Sequence, residues 1–321
     1  MLHRDRHQGA DAGRLAVAET TVTRAVLEAA RETAVRAGER AALKDPQQSL
    51  SHSRFAAVVP AAAAGLRRQG VLPGDVGAVH LADACDLALA LHAVVAAGAV
   101  PVVLPRGGSV GELAAIMSEC GARFLLTGGE PASAALAATE RSYVRQVFAF
   151  GDVPGATAFG RLVLSEEDAD GTAYGLTDGM VDPLRDRALV LGDPFEELTH
   201  ADRLADLYRL AAAVGPSEAD VLVCSAGDVP MPTWIGLIDL CLMHGATFAA
   251  VPEPGPAALL AAVEREAATV VVVSPAGLRA LTYDHVAAPR TGLRLLVSGA
   301  TDPEVVQACR NRHGWTVAPL S

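Results

Sequence analysis

Along most of this chain, segments in which apolar residues recur every third or fourth position alternate with short runs rich in Val, Leu and Ala. The first pattern belongs to helices with one buried stripe, the second to strands buried on both faces. The spacing predicts a helix over 22–38, a short hairpin with strands over 41–44 and 49–50, and a helix opened by Ser51 or Ser53 that ends near Gly70. Pro73-Gly74-Asp75 turns the chain into a strand over 76–81. A helix over 83–97, a strand over 100–104, a helix over 110–120 and a strand over 122–127 follow. The rhythm lapses among Gly and Pro turns over 128–186. It returns with strands expected over 187–191, 221–224, 247–251, 269–273, 293–298 and 316–318. Helices over 201–214, 234–243, 256–264, 275–281 and 303–312 fall between them.

Strand, helix and strand in repetition imply an α/β fold with parallel sheets and right-handed crossovers. Two doubly wound subdomains are expected, 21–186 with its irregular stretch 128–186, and 187–321, after a leader over 1–20 too mixed in character to order. Residues 87–104 carry no formal charge, which raises the question of a membrane span. Gly98 and Pro101 divide that run into the end of a helix and the start of a strand, so a soluble core with no membrane partner is the expectation.

Charge and cysteine usage narrow the partners. The 26 basic and 37 acidic residues give a net charge of −11, and nucleic acid is excluded because binding it draws on clustered cations. Five cysteines with no CxxC pair read as reduced thiols in a cytoplasmic protein, not as a disulfide framework or zinc site. The acidic run Glu166-Glu167-Asp168-Ala169-Asp170 reads as a solvated loop, and no metal site is expected. Lysine is nearly absent: Lys44 stands alone against 25 arginines, as a GC-rich genome would produce.

Several stretches fall in a recognisable order. They are Gly65-Leu66-Arg67-Arg68-Gln69-Gly70, Pro73-Gly74-Asp75, and Ala97-Gly98-Ala99-Val100-Pro101-Val102. Leu198-Thr199-His200, the run from Ser274 to Leu281, and Leu293 through Ala300 continue the series. Taken together, they make residues 40–321 resemble the N-terminal core of the AMP-binding, adenylate-forming enzymes, such as acyl-CoA synthetases and peptide-synthetase adenylation domains. The resemblance implies two α/β subdomains of that family's large domain, without its small C-terminal domain.

The departures bear on function. The resemblance implies a Ser/Thr/Gly-rich phosphate loop ending in Pro-Lys-Gly just before the Thr-His step, whose backbone N–H groups and lysine hold ATP. Here the strand passes straight into Gly192-Asp193-Pro194-Phe195-Glu196-Glu197-Leu198-Thr199-His200. That stretch holds one glycine, no lysine, and three carboxylates, Asp193, Glu196 and Glu197. At an effective dielectric of ~20, one carboxylate ~4 Å from a phosphate charge costs about 4 kcal/mol. Arginine is a poor replacement where a compact point charge must fit. The chain also stops after Gly314-Trp315-Thr316-Val317-Ala318-Pro319-Leu320-Ser321, before the family's adenine-binding motif and its C-terminal catalytic lysine. ATP and magnesium binding in the family's manner is therefore not expected, and no cofactor is.

The remaining candidates each carry a plain reading beside a functional one. Thr199 is expected to cap a helix with Asp202 close behind, placing His200 in the first turn, with a catalytic base as the alternative. Ser298-Gly299-Ala300 matches the family turn that lines the acyl or aryl pocket; Trp234 is either a second wall of that pocket or a core aromatic. Cys224 sits at a strand end where a nucleophile could stand, but lacks an elbow motif and reads as a structural thiol. Arg106-Gly107-Gly108-Ser109 reads as an ordinary strand-to-helix loop. The expectation is a pseudoenzyme acting as scaffold or regulator, with a related ligase, a carrier protein or its own copy as partner and an acyl or aryl compound as ligand. Two alternatives stay open: ATP-independent chemistry on an acyl or aryl thioester, and a ligase half completed by a C-terminal domain in trans.

Overall fold

The computed structural model describes residues 20–46, 48–163, 181–252, 255–284 and 292–320. The chain opens with α1 (Val22–Ala37), β1 (Ala41–Asp45), β2 (Gln48–Ser51), α2 (His52–Arg68), β3 (Val76–His80), α3 (Ala84–Ala96) and β4 (Val100–Val103). It continues through α4 (Val110–Glu119), β5 (Phe124–Gly128), α5 (Ala132–Thr139), β6 (Gln146–Phe150), β7 (Thr157–Ala158) and α6 (Gly160–Val163). Next come β8 (Arg187–Gly192), β9 (Phe195–Thr199), α7 (His200–Val214), β10 (Val221–Ser225), α8 (Met231–His244) and β11 (Thr247–Val251). The last described elements are α9 (Pro256–Glu266), β12 (Val270–Val273), α10 (Pro275–Tyr283), β13 (Arg294–Val297), α11 (Pro303–His313) and β14 (Thr316–Pro319).

Two compact units result. The first holds a seven-stranded sheet ordered β7-β6-β5-β3-β4-β8-β9, parallel except for the β8–β9 pair. Its central strands β3, β4 and β5 are buried at every residue, including the polar His80 and Thr127 towards the ends of β3 and β5. Val102, Leu125 and Val190 pack there with Leu113 and Met117 of α4 and Ala135 of α5. The second unit holds the order β14-β13-β12-β10-β11-β1-β2, parallel except for β1–β2. Val223, Val271 and Leu295 pack with Leu259 of α9, Leu278 of α10 and Val305 of α11. Helices α8 to α11 each carry a proline in the first turn, where its missing N–H costs nothing. Gly245 and Gly314 end α8 and α11 with φ of 69° and 71°, a conformation open to glycine at little strain.

The α/β class and parallel sheets are as the pattern implied. The subdomain division is not. Strands β8 and β9 join the first sheet through β4, with Val102 opposite Val190, although they follow residue 186. Hairpin β1–β2 joins the second sheet through β11, with Leu43 opposite Phe248. The first unit comprises 1–28, 55–82 and 86–205, and the second 29–54, 83–85 and 206–321. Strands choose neighbours by hydrogen bonding and by burial of both faces, so order along the chain is a poor guide to the boundary.

Part of the stretch expected to be irregular is also regular: α5, β6, β7 and α6 lie within it. An eight-residue, alanine-rich helix has too little contrast between faces for periodicity to reveal it. The acidic run 166–170 and the leader, apart from Thr20, lie outside the described residues. Within 87–104, α3 ends at Ala96, Gly98 turns with φ of 87°, and β4 begins at Val100. Among the described residues no helix is long and apolar enough to cross a membrane.

Candidate functional site

The first unit contains the segment where a phosphate loop was sought, and the structure closes it into a hairpin. Strands β8 and β9 pair antiparallel with Gly192 opposite Phe195, leaving only Asp193 and Pro194 as the turn. Pairing continues through Leu191 with Glu196, Val190 with Glu197 and Leu189 with Leu198. Alternate backbone groups of β9 are thus committed to β8, and the turn itself offers only two residues, one of them a proline without an N–H. Gly192 is closely packed: a Cβ there would meet Ile116 Cγ2 at 2.9 Å and the Val103 carbonyl oxygen at 3.1 Å. The sequence had suggested a degenerate loop; Phe195–Thr199 is instead a strand at the sheet's edge.

Its charges belong to the hairpin, Asp193 to the turn and Glu196 and Glu197 to β9. Asp193, Glu196 and Glu197 are exposed, and Arg187 donates from Nη1 to Glu197 Oε1 at 2.8 Å. The arginine of this hairpin is therefore already paired. Lys44 is elsewhere, in β1 of the second unit, with Nζ 2.9 Å from Glu266 Oε2. Burial pulls the Glu266 carboxyl upward, but Lys44 and Arg265 outweigh it and hold it below the usual carboxylate range.

Thr199 and Asp202 form the expected cap reciprocally. The Thr199 amide and hydroxyl donate to Asp202 Oδ2 at 3.0 and 2.7 Å, and the Asp202 amide donates to Thr199 Oγ1 at 3.1 Å. His200 is 2% exposed, and its Nδ1 accepts from the Val22 amide at 3.4 Å. Burial, with Arg203 adding to it, lowers its pKa to about 4, so the ring is neutral at pH 7. A cavity of about 320 Å³ adjoins His200, Asp186 and Arg187. In the Arg106–Ser109 loop, Glu112 Oε2 accepts from the Ser109 amide and hydroxyl at 2.8 and 2.7 Å. A carboxylate of the chain itself occupies the position an anion would take.

The second unit gathers the pocket candidates. A cavity of about 640 Å³ has Ser298 and Gly299 on one wall, Pro232 and Thr233 of α8 on another, and Leu210 and Ala213 of α7 on a third. Gly299 has φ of 115°, a conformation that favours glycine, and a Cβ there would stand in ordinary contact with Pro275 Cγ at 3.6 Å. Ala300 faces a neighbouring concavity of about 650 Å³ with Thr301 and Pro303. Trp234 lies one residue beyond Thr233 but is 1% exposed and set edge-on to Phe248, with ring centroids 5.0 Å apart. It is a core aromatic. Cys224 is wholly buried and its thiol donates to the Ser225 carbonyl at 3.4 Å, out of reach of a substrate. The turn beyond it is tied to α10, since Ser274 Oγ donates to Asp228 Oδ1 at 3.0 Å while accepting from the Gly277 amide.

Sequence reasoning missed the α7 wall of the large cavity. Asp206, Arg209, Leu210 and Ala213 follow the i, i+3, i+4, i+7 spacing of one helix face, so the signal was present. Among the described residues, no three His, Cys, Asp or Glu side chains gather as a metal site would require.

Comparison with known proteins gives consistent likenesses. Residues 30–174 match the family described as AMP-binding enzyme. Over 282 residues the chain is 30% identical to the salicyl-AMP ligase / salicyl-S-ArCP synthetase of Mycobacterium tuberculosis, covering 83% of this chain and 49% of that protein. The chain thus spans about half the length of that curated relative. An anthranilate CoA ligase in complex with anthranoyl-AMP superposes with a TM-score of 0.79 at 16% identity, covering 94% of this chain and 58% of that one. A benzoate CoA ligase from Burkholderia xenovorans gives 0.76 at 20% identity, with coverages of 94% and 60%. At such identities the two structures speak for the fold alone.

Proposed function

Given that this chain belongs to the AMP-binding, adenylate-forming family, we propose that it works by binding and not by adenylation, as a pseudoenzyme that scaffolds or regulates. The observation that supports this is the two-residue turn between β8 and β9. A triphosphate needs a ring of free backbone N–H groups and a compact cation. Here the segment is drawn into a hairpin with a two-residue turn, Arg187 at its other end is held by Glu197, and Asp193, Glu196 and Glu197 are exposed. An added C-terminal domain could supply a distant lysine, but it could not rebuild that turn.

The cavity between Ser298, Thr233 and Leu210 supports the ligand half of the reading. Its volume, about 640 Å³, suits an aryl or short acyl group, and Gly299 lets such a group approach the backbone. The salicyl-AMP ligase relative makes an aryl acid the natural first ligand to try and an aryl carrier protein the natural first partner. The five free thiols accord with a cytoplasmic setting. Calorimetric titration with salicylate and benzoate tests the cavity. The reading expects binding that is the same with and without Mg-ATP, and that is lost when Ala213→Phe fills one wall. Binding that appears only with Mg-ATP would remove it.

A further inference from the structure

The first unit carries a second candidate site at the opposite ends of its strands. Arg123 immediately precedes β5 and Arg145 immediately precedes β6. Phe124 lies opposite Gln146, and the Arg145 amide donates to the Arg123 carbonyl at 2.8 Å. The two arginines are therefore direct neighbours in the ladder. Together with Tyr143 and Gly121 they line a concavity of about 290 Å³.

Like charges placed side by side on adjacent strands repel, and this pair is poorly offset. Among the described residues, Arg123 approaches one carboxylate, Asp75, at a long 3.6 Å, and its side chain stays 72% exposed. Arg145 is exposed too, and its Nη1 reaches only the Val144 carbonyl, at 3.3 Å. A role in capping α4 does not explain them. The Cys120, Gly121 and Ala122 amides already donate to the carbonyls of Ile116, Ser118 and Met117 in the last turn of that helix. Nor is the chain generally basic, with a net charge of −11. Beside the pair, Tyr143 is 62% exposed, a large aromatic ring left mostly to solvent.

We propose that Arg123, Arg145 and Tyr143 form a binding site for a phosphate monoester. The two guanidinium groups would take the phosphate oxygens, a match for which the planar arginine fork is suited. The Tyr143 ring would lie against a flat organic group carried by the ester. This site is independent of the aryl cavity, so either proposal can fail alone.

The test is calorimetric titration with inorganic phosphate and with phenyl phosphate at constant ionic strength. The wild-type protein should bind phosphate, and Arg123→Gln and Arg145→Gln should each weaken it about tenfold or more, the scale of a lost charge-assisted hydrogen bond. Arg265→Gln, an exposed arginine of the other unit, should leave binding unchanged. Phenyl phosphate should bind more tightly than phosphate, and Tyr143→Ala should erase that advantage alone. All four positions are exposed, so thermal melts of the variants should match wild type. Absence of binding at about 20 mM phosphate, far weaker than a built site would give, would overturn the proposal. Binding that survives both arginine substitutions would do the same, and equal affinity for the two probes would strike out the part given to Tyr143.

Discussion

Buried histidines make the molecule sensitive to acid one residue at a time. His52 and His200 are 0% and 2% exposed, and burial is the main reason each has its pKa lowered to about 4. In the unfolded chain both return to 6.5. Between those values the unfolded state binds more protons than the folded one, so the contribution of these two rings makes stability fall as pH drops from 6.5 towards 4, and that contribution levels off below. Each ring could account for roughly 3 kcal/mol over that window. Urea midpoints measured across this range should decline, and His52→Gln should flatten the decline. A second residue-scale test concerns Gly65, where a Cβ would stand 2.3 Å from the Leu162 carbonyl oxygen. Gly65→Ala must displace backbone, and a loss of about 2–4 kcal/mol in equilibrium unfolding is expected. At this scale the sequence offered Ser298 and Gly299 as pocket candidates but could not decide Trp234. Trp234 and Thr233 are adjacent in α8, and only the turn of the helix sends one into the core and the other to the cavity.

For the elements, legibility followed contrast. Helices with a marked apolar stripe and strands such as the all-valine β12 were readable, because burial of one face or of both leaves a period in the sequence. The strand β9 was not, since four of its five residues, Glu196, Glu197, Leu198 and Thr199, alternate poorly and its first, Phe195, is exposed. An edge strand is held by its neighbour's backbone, and hydrogen bonds to backbone write no side-chain pattern. The cap at the start of α7 was readable because its chemistry is local. Asp202→Ala removes the acceptor for both the Thr199 amide and hydroxyl, and should lower stability by about 1 kcal/mol. Denaturant unfolding would check it, with Asp202→Asn expected to retain part of the loss.

At the level of the whole molecule, the α/β class and the family were legible from collinear fragments, while the division into units was not. The hairpins β1–β2 and β8–β9 each cross to a sheet that chain order would not assign. The same β8–β9 hairpin is where the fold and the proposed loss of chemistry meet. On the proposed reading, a chain with two such sheets, a cavity of about 640 Å³ and a two-residue turn between β8 and β9 should bind small molecules without nucleotide. Calorimetric titration of Mg-ATP and AMP tests this most directly. It is best made on the Arg123→Gln/Arg145→Gln protein, so that phosphate held at the other end of the strands adds no heat. The account predicts no binding up to about millimolar nucleotide by a protein shown to be folded. Micromolar binding by that variant would mean that the turn at Asp193 and Pro194 opens to form a phosphate site, and the pseudoenzyme reading would fail.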